Sequence, residues 1–211
     1  MNRLRRGALL GLMLAALAGA GCMGPGPVER SLLVRSPCSQ TGAPMVTHAP
    51  VLAVLPFEAS AALDRRAVAV QEGQVLRSAT TWMWEDSPRR LVTQAVMDQL
   101  ACSGAWRVLW PYRPRAEHAA VLGGRVEEFS VTLGAGADGA GGVVRIALVA
   151  EVWSRNKGPL LGRLPLEATV ACADNSPQAA AVAASEAMGH IMLQLEQGLR
   201  SLRPHMEAGH E

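Results

Sequence analysis

The sequence predicts an α+β domain in which a mainly antiparallel β-sheet carries two α-helices packed on one face. Three observations lead there. Two stretches open with Ser-Pro, at Ser87-Pro88 and Ser176-Pro177, and each continues with apolar residues at helical spacing. The remaining apolar segments are short, rich in Val and Leu, and separated by Gly, Pro and Asn turns, as strands are. The order is strands, helix, strands, helix, and the stretch from Trp106 to Ala171 reads as a meander of hairpin-linked strands.

The elements follow in order. "SLLVRSP" (31–37) is a first short strand, and "CSQTGAPMVTHAP" is a loop of turn formers. "VLAVLPF" (51–57) is a continuous apolar run that suits a central strand, with Pro56 fitting its end. "EASAALDRR" is a linker. "AVAVQEGQVLRSA" is a hairpin turning at Gly73, which supplies the positive φ of a tight turn. The first helix has Ser87 as N-cap, Pro88 at its first position, an apolar face of Leu91, Val92, Ala95, Val96 and Leu100, and a stop at Gly104.

"WRVLW" (106–110) is a strand ended by "PYRPR". "HAAVLGGRVEEFSVTL" is a strand with a kink or bulge at Gly123-Gly124, followed by the glycine-rich turn "GAGADGAGG". "VVRIALVAEVWS" places Ile146, Leu148, Ala150 and Val152 on one face, and "LLGRLPLEATVA" returns beside it. The last helix is capped by Ser176. It buries Ala184, Met188, Ile191, Leu195, Leu199 and Leu202, and the tail from His205 frays.

The first residues are a separate unit. "MNRLRRG" is basic, "ALLGLMLAALA" is uncharged and shorter than the roughly 20 residues of a membrane span, and small residues follow. That is a secretory signal peptide. "AGAGC" ends it like the lipobox of bacterial lipoproteins, in which the Cys is acylated and becomes the first mature residue; Gly19 stands where that pattern prefers Leu. The resulting division is a signal peptide over 1–21, a flexible tether over 22–30 starting at an acylated Cys22, a domain over 31–204 and a frayed tail over 205–211. Met23 is not the Asp that retains lipoproteins at the inner membrane. By that resemblance, the destination is the periplasmic face of the outer membrane.

Composition narrows the function. Apolar residues make up 49% of the 211, enough for a core, and the net charge of +2 argues against a nucleic-acid surface. Cys38, Cys102 and Cys172 have no CxxC spacing, so neither zinc nor a thioredoxin-like site is indicated. One bridge and three small buried hydrophobes are equally open, and spacing does not choose a pair. No catalytic set, P-loop or GxGxxG appears, and the five His form no metal-binding pair. Glu127 and Glu128 are neighbours on a strand and point apart. The chain thus reads as a non-enzymatic binding protein without metal or cofactor.

Two stretches are candidate contact surfaces. In "TTWMWEDSP", an extended chain turns Trp82 and Trp84 the same way, and Arg65, Arg66, Arg89 and Arg90 flank them. Trp and Arg are enriched where binding energy concentrates, although the same tryptophans could seal the core. In the second stretch, Trp110 with Arg113 and Arg115 reads mainly as a solvated loop.

Several of these segments together resemble one family. "LLVRSP", with Ser31 in place of a usual Tyr, "VLAVLPFEASAALDRR", "WMWEDSPRRLVTQAVMDQLACSGAWRVL", "LGGRVEEF" and the Ala-rich last helix, in that order behind a lipobox, are similar to the ABC-type transport auxiliary lipoproteins. Those proteins accompany mammalian-cell-entry (MCE) proteins in lipid transport. The resemblance implies a docking lipoprotein that works with an MCE protein, a permease and an ATPase. It implies no catalytic residues, and it leaves open whether the domain itself holds lipid or forms a homo-oligomer. The competing expectation is a lipoprotein scaffold of a secretion or envelope-assembly machine.

Overall fold

The computed structural model describes residues 28–36, 49–135, 141–155 and 158–208. Cys22, Cys38, His48 and His210, together with the signal peptide, lie outside the described residues. So do residues 22–27 of the tether and 136–140 of the glycine-rich turn.

Nine strands and two helices are present among the described residues. The strands are β1 (Arg30–Leu32), β2 (Val51–Val54), β3 (Glu58–Ala59), β4 (Ala67–Glu72), β5 (Val75–Trp84), β6 (Arg107–Leu109), β7 (Ala120–Thr132), β8 (Val143–Ser154) and β9 (Leu160–Ala171). The helices are α1 (Pro88–Ser103), between β5 and β6, and α2 (Pro177–Ala208), after β9.

Strand β7 is the spine of one sheet. One of its edges pairs antiparallel with β8 from end to end, Ala120 opposite Ser154 and Thr132 opposite Val143. Its other edge is shared by three short parallel strands. β2 lies beside residues 120–122, β3 beside 125 and 126, and β4 beside 130–132. Beyond these, β6 runs parallel to β2, β5 antiparallel to β4, and β1 parallel to β5. β9 completes the far side, antiparallel to β8.

The single α+β domain with two helices is therefore as the sequence indicates, but the sheet is mixed and not mainly antiparallel. The hairpin β4–β5 and the meander β7–β8–β9 are antiparallel because tight turns join them. The parallel pairs join strands far apart in the chain, with α1 among the intervening connections.

Both helices pack on the sheet through one continuous core. Val92, Val96 and Leu100 of α1 and Ala184, Met188, Ile191, Leu195 and Leu199 of α2 meet Leu52, Val54, Phe129, Ile146 and Leu148, all buried. Each large side chain so placed contributes about 1.5–3 kcal/mol relative to exposure. Charged side chains elsewhere on β7–β9 are ion-paired. Arg145 bridges Glu128 (3.2 Å) and Glu167 (2.7 Å), Arg163 meets Glu151 (3.5 Å), and Arg125 meets Glu127 (3.0 Å). The adjacent acids Glu127 and Glu128 thus have separate arginine partners.

The ends of the helices follow from the sequence. Ser87 caps α1 with its backbone carbonyl, which accepts from Arg90 N and Leu91 N, and its side chain makes no cap bond. Gly104 closes the helix in the left-handed region at φ 64°. In α2, Ser176 Oγ accepts from Ala179 N at 3.1 Å. Asp174 accepts from Ser176 N, and the Ser176 hydrogen bonds hold its carboxyl below the ordinary range. The helix does not stop at His205. It continues through Pro204 to Ala208, where Met206 is buried, so packing sustains a turn that proline would otherwise end.

Two further details shape the sheet. At Gly124 an added Cβ would stand 2.2 Å from the Val149 carbonyl oxygen, so only glycine permits this approach of β7 to β8. The irregularity of β7 lies between Val126 and Glu128, just beyond the Gly123-Gly124 pair where the sequence suggests it. At the outer strand, Gln194 of α2 accepts from Glu167 N (3.3 Å) and donates to Glu167 O (2.9 Å). Among the cysteines, Cys102 is disulfide-bonded and Cys172 is a buried free thiol, which burial and then the Asp174 carboxylate push up in pKa.

Candidate interaction surface

In the stretch "TTWMWEDSP", Thr80 to Trp84 are extended as the last part of β5, which ends before Glu85, and β1 runs beside them with Arg30 opposite Trp82 and Leu32 opposite Trp84. Trp84 has no exposed surface. Its indole packs edge-on against Phe129, with centroids 5.0 Å apart and an interplanar angle of 79°. Trp82 is half-buried against the same core. Trp84 therefore offers nothing for a partner to touch, and of the two indoles only Trp82 retains exposed area.

The flanking arginines are each engaged. Trp84 N donates to Arg66 O at 2.6 Å, and Arg66 Nε donates to Trp84 O at 3.2 Å, which fixes the end of β5 to the preceding loop. Exposed Arg65 donates to Ala61 O. Arg89 is paired with Asp64 at 3.2 Å, and Arg90 with Asp86 at 3.5 Å. Glu85 accepts from Val34 N at 2.9 Å and pairs with Arg35 at 3.3 Å, so it ties the segment after β1 to the start of α1.

Of these groups, Val34, Arg35, Glu85, Asp86, Arg89 and Arg90 border a groove of about 730 Å³ along the flank of α1, and Arg65, Arg66, Trp82 and Trp84 do not. Arg35, Arg89 and Arg90 face Glu85, Asp86 and Asp98 around it, and Val34, Leu91, Met97 and Trp110 supply apolar wall. The charge is balanced and the apolar surface is broken up. Such a lining suits a polypeptide segment with mixed side chains better than an acyl chain, which needs a continuous apolar lining.

The groove takes in residues of both stretches that the sequence offers separately, Glu85, Asp86, Arg89 and Arg90 from one and Trp110 from the other, while Arg113 and Arg115 stay exposed on their loop. Sequence reasoning missed Glu85, Asp86 and Asp98 as parts of this lining. The signal was present as "WED" directly before the helix and as acid spacing along it.

None of the described histidines lines the groove. His118 is buried with Nδ1 2.6 Å from the Ala116 carbonyl oxygen and its ring edge-on to Tyr112, whereas His190 and His205 are exposed. Among the described residues, no three His, Cys, Asp or Glu side chains converge as metal ligands. No described helix is long and apolar enough to cross a membrane.

The architecture has known counterparts. It is similar to the crystal structure of protein XCC0632 from Xanthomonas campestris, with a TM-score of 0.70 at 15% identity over 86% of this chain and 99% of that one. A second crystal structure, of an uncharacterized protein, aligns with a TM-score of 0.61 at 12% identity over 81% of this chain and 99% of the other. At these identities the likeness shows the fold alone. No curated protein matches the chain in sequence. The model of one protein family matches residues 33–196, from just after β1 to within α2, and by that match the chain belongs to the ABC-type transport auxiliary lipoprotein components.

Proposed function

We propose that this family member is the lipid-anchored, non-enzymatic docking subunit of an MCE-type ABC transporter, held at the periplasmic face of the outer membrane through an acylated Cys22. The observation that carries the reading is the family match over residues 33–196 directly downstream of "AGAGC". Two or more acyl chains anchor a protein stably, whereas one binds marginally. An anchored domain is confined to the membrane surface, which raises its effective concentration for any partner that ends there. Lipid moving between membranes needs a protein path, because each exposed CH₂ costs about 0.8 kcal/mol in water. The domain's part in that path is to dock its end.

The contact surface we assign to the partner is the groove beside α1 with the neighbouring exposed groups. Arg89 lies in its wall, and Arg65, Arg66 and the exposed area of Trp82 are assigned to the surface with it. Trp84 supports the surface from the core. The partners are an MCE-domain protein with its permease and ATPase.

The test is gentle detergent extraction of the acylated protein, pull-down, and identification of the co-purifying proteins and lipids. Recovery of an MCE protein with a permease and ATPase supports the reading. Their absence from an extract in which Cys22 still carries acyl chains overturns it. C22A checks the anchor separately, since that variant must lose both lipid label and membrane fractionation.

A further inference from the structure

We infer that Cys102, in the last turn of α1, is joined to Cys38 by a disulfide that ties the chain after β1 to that helix. The choice of Cys38 rests on the proposed acylation of Cys22.

The chain has four cysteines, Cys22, Cys38, Cys102 and Cys172. Cys102 is disulfide-bonded, and Cys172 is a free thiol. That leaves Cys22 and Cys38 as partners, and both lie outside the described residues. A Cys22 whose sulfur carries lipid has none left for a disulfide. The partner is then Cys38, assigned by count and by chemistry.

The described residues on either side agree with this pairing. Val34 N donates to Glu85 at 2.9 Å, and Arg35 N donates to Ser185 Oγ of α2 at 3.0 Å. These bonds set the course of the chain as it leaves β1. Ser36 then borders the groove beside α1, as do Met97 and Asp98 of the helix. Cys38 follows Ser36 by two residues, at most about 7 Å of chain. Cys102 follows Asp98 by four residues, about one helical turn of 5.4 Å. Each cysteine is thus one short step from a residue that borders the same groove.

The bond has a chemical requirement. Its formation takes two protons and two electrons from the two thiols. The disulfide of a thiol oxidase accepts them and opens to two thiols. Disulfides form and persist in oxidising compartments outside the cytosol. The bond is therefore a mark of export that does not depend on the signal peptide. It also closes a long loop, from 38 to 102, and so restricts the unfolded chain. Cys102 is half-buried and open to a reductant, whereas Cys172 is buried.

The test uses the full acylated protein from membranes, with free thiols blocked by iodoacetamide in denaturant before any reduction. Peptide mapping is expected to give one linked pair, Cys38 with Cys102, which separates on reduction, and label on Cys172 alone. Label on both Cys38 and Cys102, with acyl chains on Cys22, overturns the bridge and leaves the anchored reading standing. A linked pair of Cys22 and Cys102 overturns the assignment and the anchor together. In a second measurement, C38A and C102A each lower Tm by at least about 5 °C, and the double variant lowers it no further. Reductant lowers the Tm of the unsubstituted protein by the same amount and leaves that of C102A unchanged. A Tm that moves with neither substitution nor reductant overturns the tie between this segment and α1.

Discussion

Gln99 of α1 donates its amide N–H to the Glu196 carboxylate of α2 at 2.7 Å, across 97 residues of sequence and with both side chains buried. Arg200 completes the carboxylate's partners from the next turn of the helix. This bond is a buried polar link between the two helices.

Removing the donor leaves a buried carboxylate short of a partner. Q99A is expected to lower stability by about 1.5–3 kcal/mol, the range for a hydrogen bond to a charged group. Urea unfolding measures it, and a Q99A/E196A cycle isolates the pair. Additive single effects would show that the two side chains do not act together.

The two tryptophans of β5 separate by burial. W84A empties a fully enclosed site against Phe129 and is expected to cost about 3–5 kcal/mol. W82A removes a half-buried ring and is expected to cost about 1–2 kcal/mol. Thermal unfolding of both variants checks the order. Partner-binding effects are readable only in W82A, because W84A disturbs the core beneath.

Glycines 73 and 124 differ in what they spare. Nothing lies within 4 Å of a Cβ at Gly73, so G73A meets only the left-handed backbone there and is expected to cost about 1–2 kcal/mol. G124A drives a methyl into the Val149 carbonyl and is expected to cost about 3 kcal/mol or more, since β7 and β8 must part. Denaturant midpoints of the two variants give the comparison, and equal losses would contradict the close approach.

Cys172 is expected to be a slow thiol. Its pKa is raised by burial first and by Asp174 second, so at pH 8 it holds less reactive thiolate than an ordinary cysteine. Iodoacetamide should label it much faster in unfolded protein than in native protein. D174N removes the repelling charge, lowers the pKa, and should speed native labelling at pH 8 with little effect well above the pKa. Equal rates in native and unfolded protein would refute the assignment.

Local chemistry was legible in the sequence. Ser87-Pro88, Gly104 and Ser176-Pro177 mark helix ends, Gly73 marks the hairpin, and the alternation of Ile146, Leu148, Ala150 and Val152 marks a buried strand face. Partner choice between distant strands was not. Leu52 pairs with both Val108 and Ala120, and nothing local to the three residues says so. For the same reason the sheet read as more antiparallel than it is. The candidate groove was only partly legible. Of the Trp and Arg residues the sequence offered, Arg89 and Arg90 line it and Trp82 and Trp84 do not, and the inward turn of Trp84 depends on Phe129, far along the chain. Pro204 read as an end because its effect is local, while the packing of Met206 that overrides it is not.

The two bonds from Gln194 to Glu167 have a consequence for how this molecule can multiply. An uncovered outer strand is a template on which another chain can crystallise its own backbone. Here the amide of one glutamine imitates an incoming strand at Glu167, and Pro165 two residues earlier has no N–H to offer. A newcomer would have to evict the glutamine and then find the next rung missing. Extension of the sheet past β9 into fibrils or stacked copies is thus blocked at its first step, and a protein crowded onto a membrane surface keeps its neighbours as neighbours.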